Sequence, residues 1–517
     1  MKKIVSIVAA AAITLGISNV AYAKSGYNIN RLYGADRYKT SISISNNFNS
    51  GTVQNVIIAS GKDFPDALAG SVLSKKLNAP IVLAGGTVND SADSIQYIKD
   101  HLDKNGTIYL LGGTASISNE FVDYMKNQGY SNFVRLGGKD RFDTNKYIVN
   151  SMNVEKGTPV VIANAYGFAD ALSVSSIAAQ KGYPIIMTST SSLSDEATDM
   201  IKNIQPSEVY IIGGYASVGD NVVNQIKGML PSLANDKIIK LAGQDRYETS
   251  LSVCKHFNLD TDTAVIANGE NFPDALSGSA LASKLNAPIV LIDGQDITKQ
   301  KDFIYGGNFK NIVLLGGYGS VDFPVEYLLK GSEYITQEER DYINKLTEYC
   351  DGYKTESTNA ENYFSDVVNK VTSEDMLASF ENPDTMMSTL DKFIELYKGC
   401  NSAIDTYKQN LVSLRDKASA LQTPNGIEAL KQSYINNINL DIQSADKASA
   451  LLNSYVNAFS SFRDAVNSGD ESKIEEAVKN LQSVGSSSLE ELNSLKGGDQ
   501  GINTLKEKLV KIKSNMD

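Results

Sequence analysis

The chain has no tryptophan, only two histidines and only three cysteines in 517 residues. Each shortage excludes something. His101 and His256 stand at non-equivalent places and no histidine follows them. The C-terminal part therefore cannot build a Ser-His-Asp or Cys-His nucleophilic site, or a histidine zinc site. Cys254, Cys350 and Cys400 are odd in number and lack paired spacing, so they form no disulfide framework and read as small buried hydrophobes. Without tryptophan there is no indole platform for sugars, although the 26 tyrosines could take that place. Beyond the N-terminus no apolar run reaches the ~18 residues that span a bilayer. Positive charge is not in excess either. The net charge is -12, and residues 331–517 carry 30 acidic against 19 basic side chains. Such a surface does not suit non-specific nucleic-acid binding, which needs a basic field.

What is present begins with a secretory leader over residues 1–23. Lys2 and Lys3 form its charged part, Ile4–Ile17 its apolar run and Ala21-Tyr22-Ala23 an A-x-A cleavage site. The length predicts two to four domains.

Four blocks then recur three times. The first is Gly34-Ala35-Asp36-Arg37-Tyr38, repeated as Gly138-Lys139-Asp140-Arg141-Phe142 and Gly243-Gln244-Asp245-Arg246-Tyr247. The second is Phe64-Pro65-Asp66-Ala67-Leu68, with Asp170 and Asp274 as the matching aspartates, 104 residues apart each time. The third is a proline leading an apolar run, from Pro80, Pro184 and Pro288. The fourth is Leu111-Gly112-Gly113, Ile212-Gly213-Gly214 and Leu315-Gly316-Gly317. A period this long makes each copy a small domain rather than a solenoid turn. Within the first copy, 55–59, 80–84 and 107–111 are continuous apolar runs rich in β-branched residues, as buried strands require. Residues 66–77 and 91–102 between them carry helical periodicity. The alternation predicts a parallel sheet with right-handed crossovers. Arg31-Leu32, Val134-Arg135-Leu136 and Ile239-Lys240-Leu241 add one more strand per copy.

From about Ser332 the blocks stop and a helical pattern begins. Apolar positions run Leu390, Phe393, Tyr397, Cys400, Ile404, Tyr407, Leu411, Leu414, Ala418, Leu421 in alternating steps of four and three. A turn at Pro424-Asn425-Gly426 separates this seam from a second one, Ala445, Ala448, Leu452, Tyr455, Phe459, Phe462, Val466. The pattern predicts an antiparallel hairpin with arms of roughly 55–60 Å. Shorter helices at 342–353, 474–484 and 502–512 can pack against it.

Few motifs carry chemistry. The Gly-Gly pairs lack phosphate-loop spacing and read as tight strand-to-helix turns. The pairs Asp36-Arg37, Asp140-Arg141 and Asp245-Arg246 are candidate ligand-binding residues, since arginine takes a carboxylate or phosphate two-handed, or form salt bridges that tie one module to the next; both readings stand. Asp66, Asp170 and Asp274 read as helix N-caps. No residues point to a metal or cofactor, and no carboxylate pair in the tail stands out as catalytic.

The blocks L-x-G-x-D-R-[YF], F-x-D-A-L, [AY]-P-I-[VI]-[LM] and [IL]-G-G, three times in order over residues 29–330, resemble the cell wall binding repeat 2 family of clostridial surface-layer and cell-wall proteins. The resemblance implies three Toprim-like parallel-sheet modules in a pseudo-threefold assembly, at 29–130, 131–236 and 237–330. A separate all-α bundle follows at 333–517. It also implies non-covalent anchoring to an anionic cell-wall polysaccharide, a secreted protein located at the cell wall or surface layer, and surface-layer proteins as a second class of partner, without membrane insertion. An Ile-Leu-Leu type of anchoring triplet falls by position on Ile81-Val82-Leu83, Ile185-Ile186-Met187 and Ile289-Val290-Leu291. None of the three is Ile-Leu-Leu, and as a buried strand they would support the module rather than touch sugar. Ala169 and Tyr183 set the second copy apart. The expected protein anchors and displays a structural or adhesive helical domain and is not an enzyme; the rival reading is a wall enzyme with a catalytic tail.

Overall fold

The computed structural model describes residues 26–332, 335–381, 383–424, 427–494, 497–514 and 516. The expected leader lies outside them, as do Asn425 and Gly426 of the expected turn. The chain forms two compact units. One runs to Asp293 and includes Ile297–Gly317; the other is Tyr318–Asp517 with Gly294–Asp296. No helix among the described residues is long and apolar enough to cross a membrane.

The first unit opens with β1 (Asn28–Leu32). The first copy continues as α1 (Arg37–Phe48), β2 (Val53–Ser60), α2 (Pro65–Leu77), β3 (Ile81–Ala84), α3 (Ala92–His101), β4 (Leu102–Leu111) and α4 (Asn119–Asn127). The second repeats the order as β5 (Asn132–Leu136), α5 (Arg141–Ser151), β6 (Val160–Asn164), α6 (Phe168–Lys181), β7 (Ile185–Thr188), α7 (Asp195–Ile204), β8 (Val209–Ile212) and α8 (Asp220–Met229). The third gives β9 (Ile238–Leu241), α9 (Arg246–Phe257), β10 (Thr263–Asn268), α10 (Pro273–Lys284), β11 (Ile289–Ile292), α11 (Lys301–Gly306) and β12 (Asn311–Leu315).

Three four-stranded sheets result, ordered β3-β2-β4-β5, β7-β6-β8-β9 and β1-β12-β10-β11, and every pairing is parallel. The extra strand of each copy does not join its own copy's sheet. β5 pairs with β4 and β9 with β8, so each sheet is completed by the following repeat. β1 closes the ring by pairing with β12, in register from Asn28 opposite Asn311 to Leu32 opposite Leu315. The repeats are therefore interlocked rather than strung in a row.

At the centre, α2, α6 and α10 pack against one another. Residues 66–77 were expected to be amphipathic, but Ala67, Leu68, Ser71, Leu73 and Ser74 are all buried, and residues 171–179 and 275–283 are buried without a break. A helix surrounded on all sides needs no polar face, and alanine, serine and glycine let three helices approach closely. The rings of Phe64, Phe168 and Phe272 meet at 5.7, 5.8 and 5.9 Å, which marks a pseudo-threefold axis.

The second unit contains α12 (Phe323–Leu329), α13 (Gln337–Val371), α14 (Glu374–Glu381), α15 (Pro383–Ala420), α16 (Glu428–Ser468), α17 (Glu471–Ser494) and α18 (Asp499–Lys513). Thr336 and Glu339 form a reciprocal capping box that starts α13. α15 and α16 are antiparallel: Asp391 pairs with Arg463, Asn401 with Asn453 and Lys408 with Asp446, one partner advancing as the other retreats. Both expected seams meet, with Phe393 on Phe459 at 6.2 Å and Tyr397 on Tyr455 at 5.7 Å. On α16, however, the most buried residues beyond Ala445 are Leu451, Ala458 and Ala465, next to the expected stripe. The helix has a second neighbour, α17, so its apolar surface is shared between two faces. Leu411, Tyr353, Tyr434, Ile438 and Leu509 belong to one core built from α13, α15, α16 and α18.

Candidate functional site

The carboxyl ends of the parallel strands are where open α/β sheets bind ligands. β4, β8 and β12 end one residue before Gly112, Gly213 and Gly316, and all three glycines have a φ of +104°. A Cβ on Gly112 would also meet Asp66 Oδ2 at 2.6 Å and Ser116 Cβ at 2.7 Å. Conformation and space both demand glycine, and the turn closes over the aspartate of the second block. Arg31 and Arg135 brace it by donating Nη1 to the carbonyls of Gly316 and Gly112, at 3.0 and 3.1 Å.

The aspartates that cap are not the set expected to. Asp66 and Asp170 do not cap. Each lies in the first turn of its helix, and the residue in the cap position makes no side-chain cap bond. Ser217 Oγ donates to Asp170 Oδ2 at 2.5 Å. Burial, then the Asp63 carboxylate, pushes Asp66 up to about 6, against Arg141 and the Ser116 hydroxyl. Burial also raises Asp170, opposed by Ser217 and Arg246. The true N-caps are Asp36, Asp140 and Asp245, whose backbones are extended and whose carboxylates accept the amides of Lys39, of Phe142 and Asp143, and of Tyr247 and Glu248.

Each arginine of the first block is held by its own copy. Nη1 of Arg37, Arg141 and Arg246 donates to the carbonyls of Gly61, Ala165 and Gly269 at 2.7, 2.7 and 2.6 Å. The heads of Arg141 and Arg246 also reach the preceding copy. Arg141 Nη2 pairs with Asp63 at 3.3 Å, and the Arg246 guanidinium lies 5.7 Å from the Phe168 ring. Arg246 also pairs with Glu270 of its own copy at 3.3 Å. Arg141 is thus a tie between modules, while Arg246 spans to its neighbour through an aromatic face.

One cleft of about 610 Å³ shows the arrangement fully. It lies between the second and third copies and joins Asn164, Thr190, Asp170 and Ser217 of one to Asp245 and Arg246 of the next. Asn164 Nδ2 donates to Thr190 Oγ1 at 2.8 Å. Thr249 Oγ1 accepts the Gly243 amide at 3.1 Å, as Thr40 and Thr144 do for Gly34 and Gly138 at 3.0 Å. Asn164, the threonines and the serine after each Gly-Gly pair escape a reading by blocks. The threonines and serines recur at a fixed distance from the glycines, whereas Asn164 recurs only in position, with Ser60 and Asn268 as its counterparts six residues before each second-block aspartate.

The proposed anchoring strands are elsewhere. Ile81, Val82, Leu83, Ile185, Ile186, Met187, Ile289, Val290 and Leu291 are each at most 1% exposed. They form the edge strands β3, β7 and β11. A side chain of the first helix of each copy, α1, α5 or α9, covers the outer backbone of each: Leu83 N donates to Ser41 Oγ, Met187 N to Asn145 Oδ1 and Leu291 N to Ser250 Oγ, at 2.9, 2.9 and 3.0 Å. These plugs satisfy an edge that would otherwise pair with another chain. The triplets act through packing.

The chain matches the family described as Cell wall binding domain 2 (CWB2) three times, over residues 31–122, 135–223 and 240–326, which together make up more than half of its length. The chain belongs to the CWB2 family. Among curated relatives it is 26% identical over 309 residues to the N-acetylmuramoyl-L-alanine amidase LytC of Bacillus subtilis (strain 168), covering 59% of this chain and 58% of that protein. It is 31% identical over 324 residues to the amidase enhancer of the same organism, covering 61% and 42%. The CWB2 chain thus spans well under two thirds of either relative. Among solved structures it is similar to Cwp6 from Clostridium difficile, with a TM-score of 0.52 at 24% identity over 59% of this chain and 48% of that one. Cwp8 from the same organism gives 0.50 at 27% over 56% and 49%. Membership associates the chain with the bacterial cell wall.

Proposed function

We propose that this CWB2 protein is secreted and held non-covalently at the cell wall or surface layer by an anionic wall polysaccharide. Residues 29–330 anchor it as three modules at 29–130, 131–236 and 237–330. Residues 333–517 are displayed as a structural or adhesive helical domain, with surface-layer proteins as further partners. The observation that carries this reading is the junction between copies, where an arginine fixed by a strand-end carbonyl acts on a half-buried aspartate of the preceding copy, Arg141 on Asp66 and Arg246 on Asp170. A guanidinium has five N–H donors, so the carbonyl bonds and the pairs of Arg141 with Asp63 and Arg246 with Glu270 leave N–H groups for a carboxylate or phosphate. The repeat supplies a third pair, Arg37 and Asp274, and three junctions on one interlocked body would act together through effective concentration.

The full chain should pellet with purified walls, and less so as salt rises. Retention on walls stripped of anionic polymer would overturn the reading. Residues 24–330 should pellet alone while 333–517 stay in solution; a pelleting tail would place the binding in the helical unit. A zymogram on cell-wall substrate should show no clearing, and clearing would favour a catalytic tail.

The aspartates add a pH dependence. The folded chain holds the Asp66 proton at about 6, whereas the ordinary value is 3.8. Stability therefore falls as pH rises through that window, because the folded form binds more protons there than the unfolded chain. Protonation also removes a negative charge from a cleft that takes a polyanion. Retention on walls should strengthen from about pH 7.5 to about pH 5, and Asp66→Asn should flatten the change. A slope that survives the substitution would place the titration on another group.

A further inference from the structure

We propose that Tyr166 is a stacking platform for a pyranose ring of the wall polymer, so that the cleft between the second and third copies reads sugar while its two counterparts lack this element. The proposal rests on the reading that the clefts take wall polymer.

Tyr166 is among the residues lining that cleft, and it is 63% exposed. It is nonetheless held. Its amide donates to Asn164 Oδ1 at 2.7 Å. Its ring meets Phe142 edge-on, 6.1 Å between centroids at 74°, and the Arg141 guanidinium carbon lies 4.8 Å from its centroid. An exposed ring fixed from one side by a cation and along an edge by a second ring presents an apolar surface at little cost in side-chain order. That surface matches the C–H face of a pyranose. The polar groups beside it suit hydroxyls as well as anions. Asp170 and Asp245 accept, Arg246 donates, and Asn164 and Thr190 can do both. Two carboxylates beside one arginine suit hydroxyl donors better than phosphate alone.

The equivalent positions, four residues before each second-block aspartate, hold Lys62 and Glu270. Glu270 serves the third copy differently, pairing with Arg246 at 3.3 Å and accepting from the Tyr247 hydroxyl. This one position thus carries a cation, a ring and an anion in turn, and only the ring can stack.

The absence of tryptophan from the chain makes Tyr166→Trp a clean probe, because the introduced indole is the sole one. In the full chain, Tyr166→Ala should weaken retention on purified walls about tenfold, while Tyr166→Phe and Tyr166→Trp should retain it. The emission of the Tyr166→Trp variant should shift when solubilised wall polysaccharide is added and stay constant when inorganic polyphosphate is added. Retention of Tyr166→Ala within about twofold of the parent, or an indole that responds equally to polyphosphate, would overturn the proposal. If Tyr166→Ala is silent while the combined Arg37→Ala, Arg141→Ala and Arg246→Ala variant is lost from walls, the platform is wrong and the anchoring reading stands. If the parent itself is not retained, both fall.

Discussion

Leu411→Asp should abolish the cooperative melting of the helical unit and leave the transition of the repeat unit in place. Leu411 is fully buried and shares one core with Tyr353, Tyr434, Ile438 and Leu509. Removing a buried leucine side chain alone costs about 2–5 kcal/mol. An unpaired carboxylate in its place adds several kcal/mol more, or takes up a proton. A domain holds only about 5–15 kcal/mol in total, so one substitution consumes most of it. The repeats have a separate core around α2, α6 and α10, and domains with their own cores melt on their own terms. Calorimetry of the full chain should show the helical transition lost or broadened beside an unshifted second one. An unchanged helical transition would mean that Leu411 faces solvent and that the seam is a docking surface for a partner helix.

Strands, helices and the long hairpin are legible in the sequence because burial imposes a period on residue choice. Partner choice is not legible. Asn132–Leu136 is a strand on any reading, but a threefold repeat carries no mark saying whether its boundary strand belongs to the copy before or after. Hydrogen bonding to β4 decides it, and the same ambiguity conceals the closure of β1 on β12. The aspartates fail for a different reason. Capping depends on the backbone angle of the residue itself, and Asp36 at φ -148°, ψ 179° is extended while Phe64, ahead of Asp66, is helical at -100°, -28°. Composition cannot distinguish these. The anchoring triplets were legible as a buried strand, and burial at 1% or less leaves them no route to a polymer except through the helices that cover them. The aromatics of the second seam are half-buried because α16 divides its surface between α15 and α17, which a single-helix pattern cannot show.

Replacing Arg37, Arg141 and Arg246 together by alanine should remove wall retention and lower melting only slightly. Each arginine gives up one bond to a strand-end carbonyl, worth about 1 kcal/mol net. Among the described residues the ion pairs that go with them are Arg141 to Asp63, with the partners 28% and 56% exposed, and Arg246 to Glu270, 38% and 53% exposed, and each such pair contributes about 0–1 kcal/mol. The sheets stay interlocked through β1, β5 and β9, none of which involves these side chains. Binding has no such reserve. If three junctions engage one polymer, losing all of them forfeits the gain from effective concentration, on the order of 10²–10⁴. The matching lysine variant separates charge from shape, because lysine keeps the charge but lacks the planar fork and cannot bond both a carbonyl and an anion two-handed. Retention by lysine near the parent level would mean that field strength suffices. Loss with lysine as with alanine would show that the fork, set by Gly61, Ala165 and Gly269, is what meets the polymer. A steep fall in melting with retention unchanged would instead assign the arginines to bracing the strand ends, and the polymer would have to bind elsewhere on the repeats.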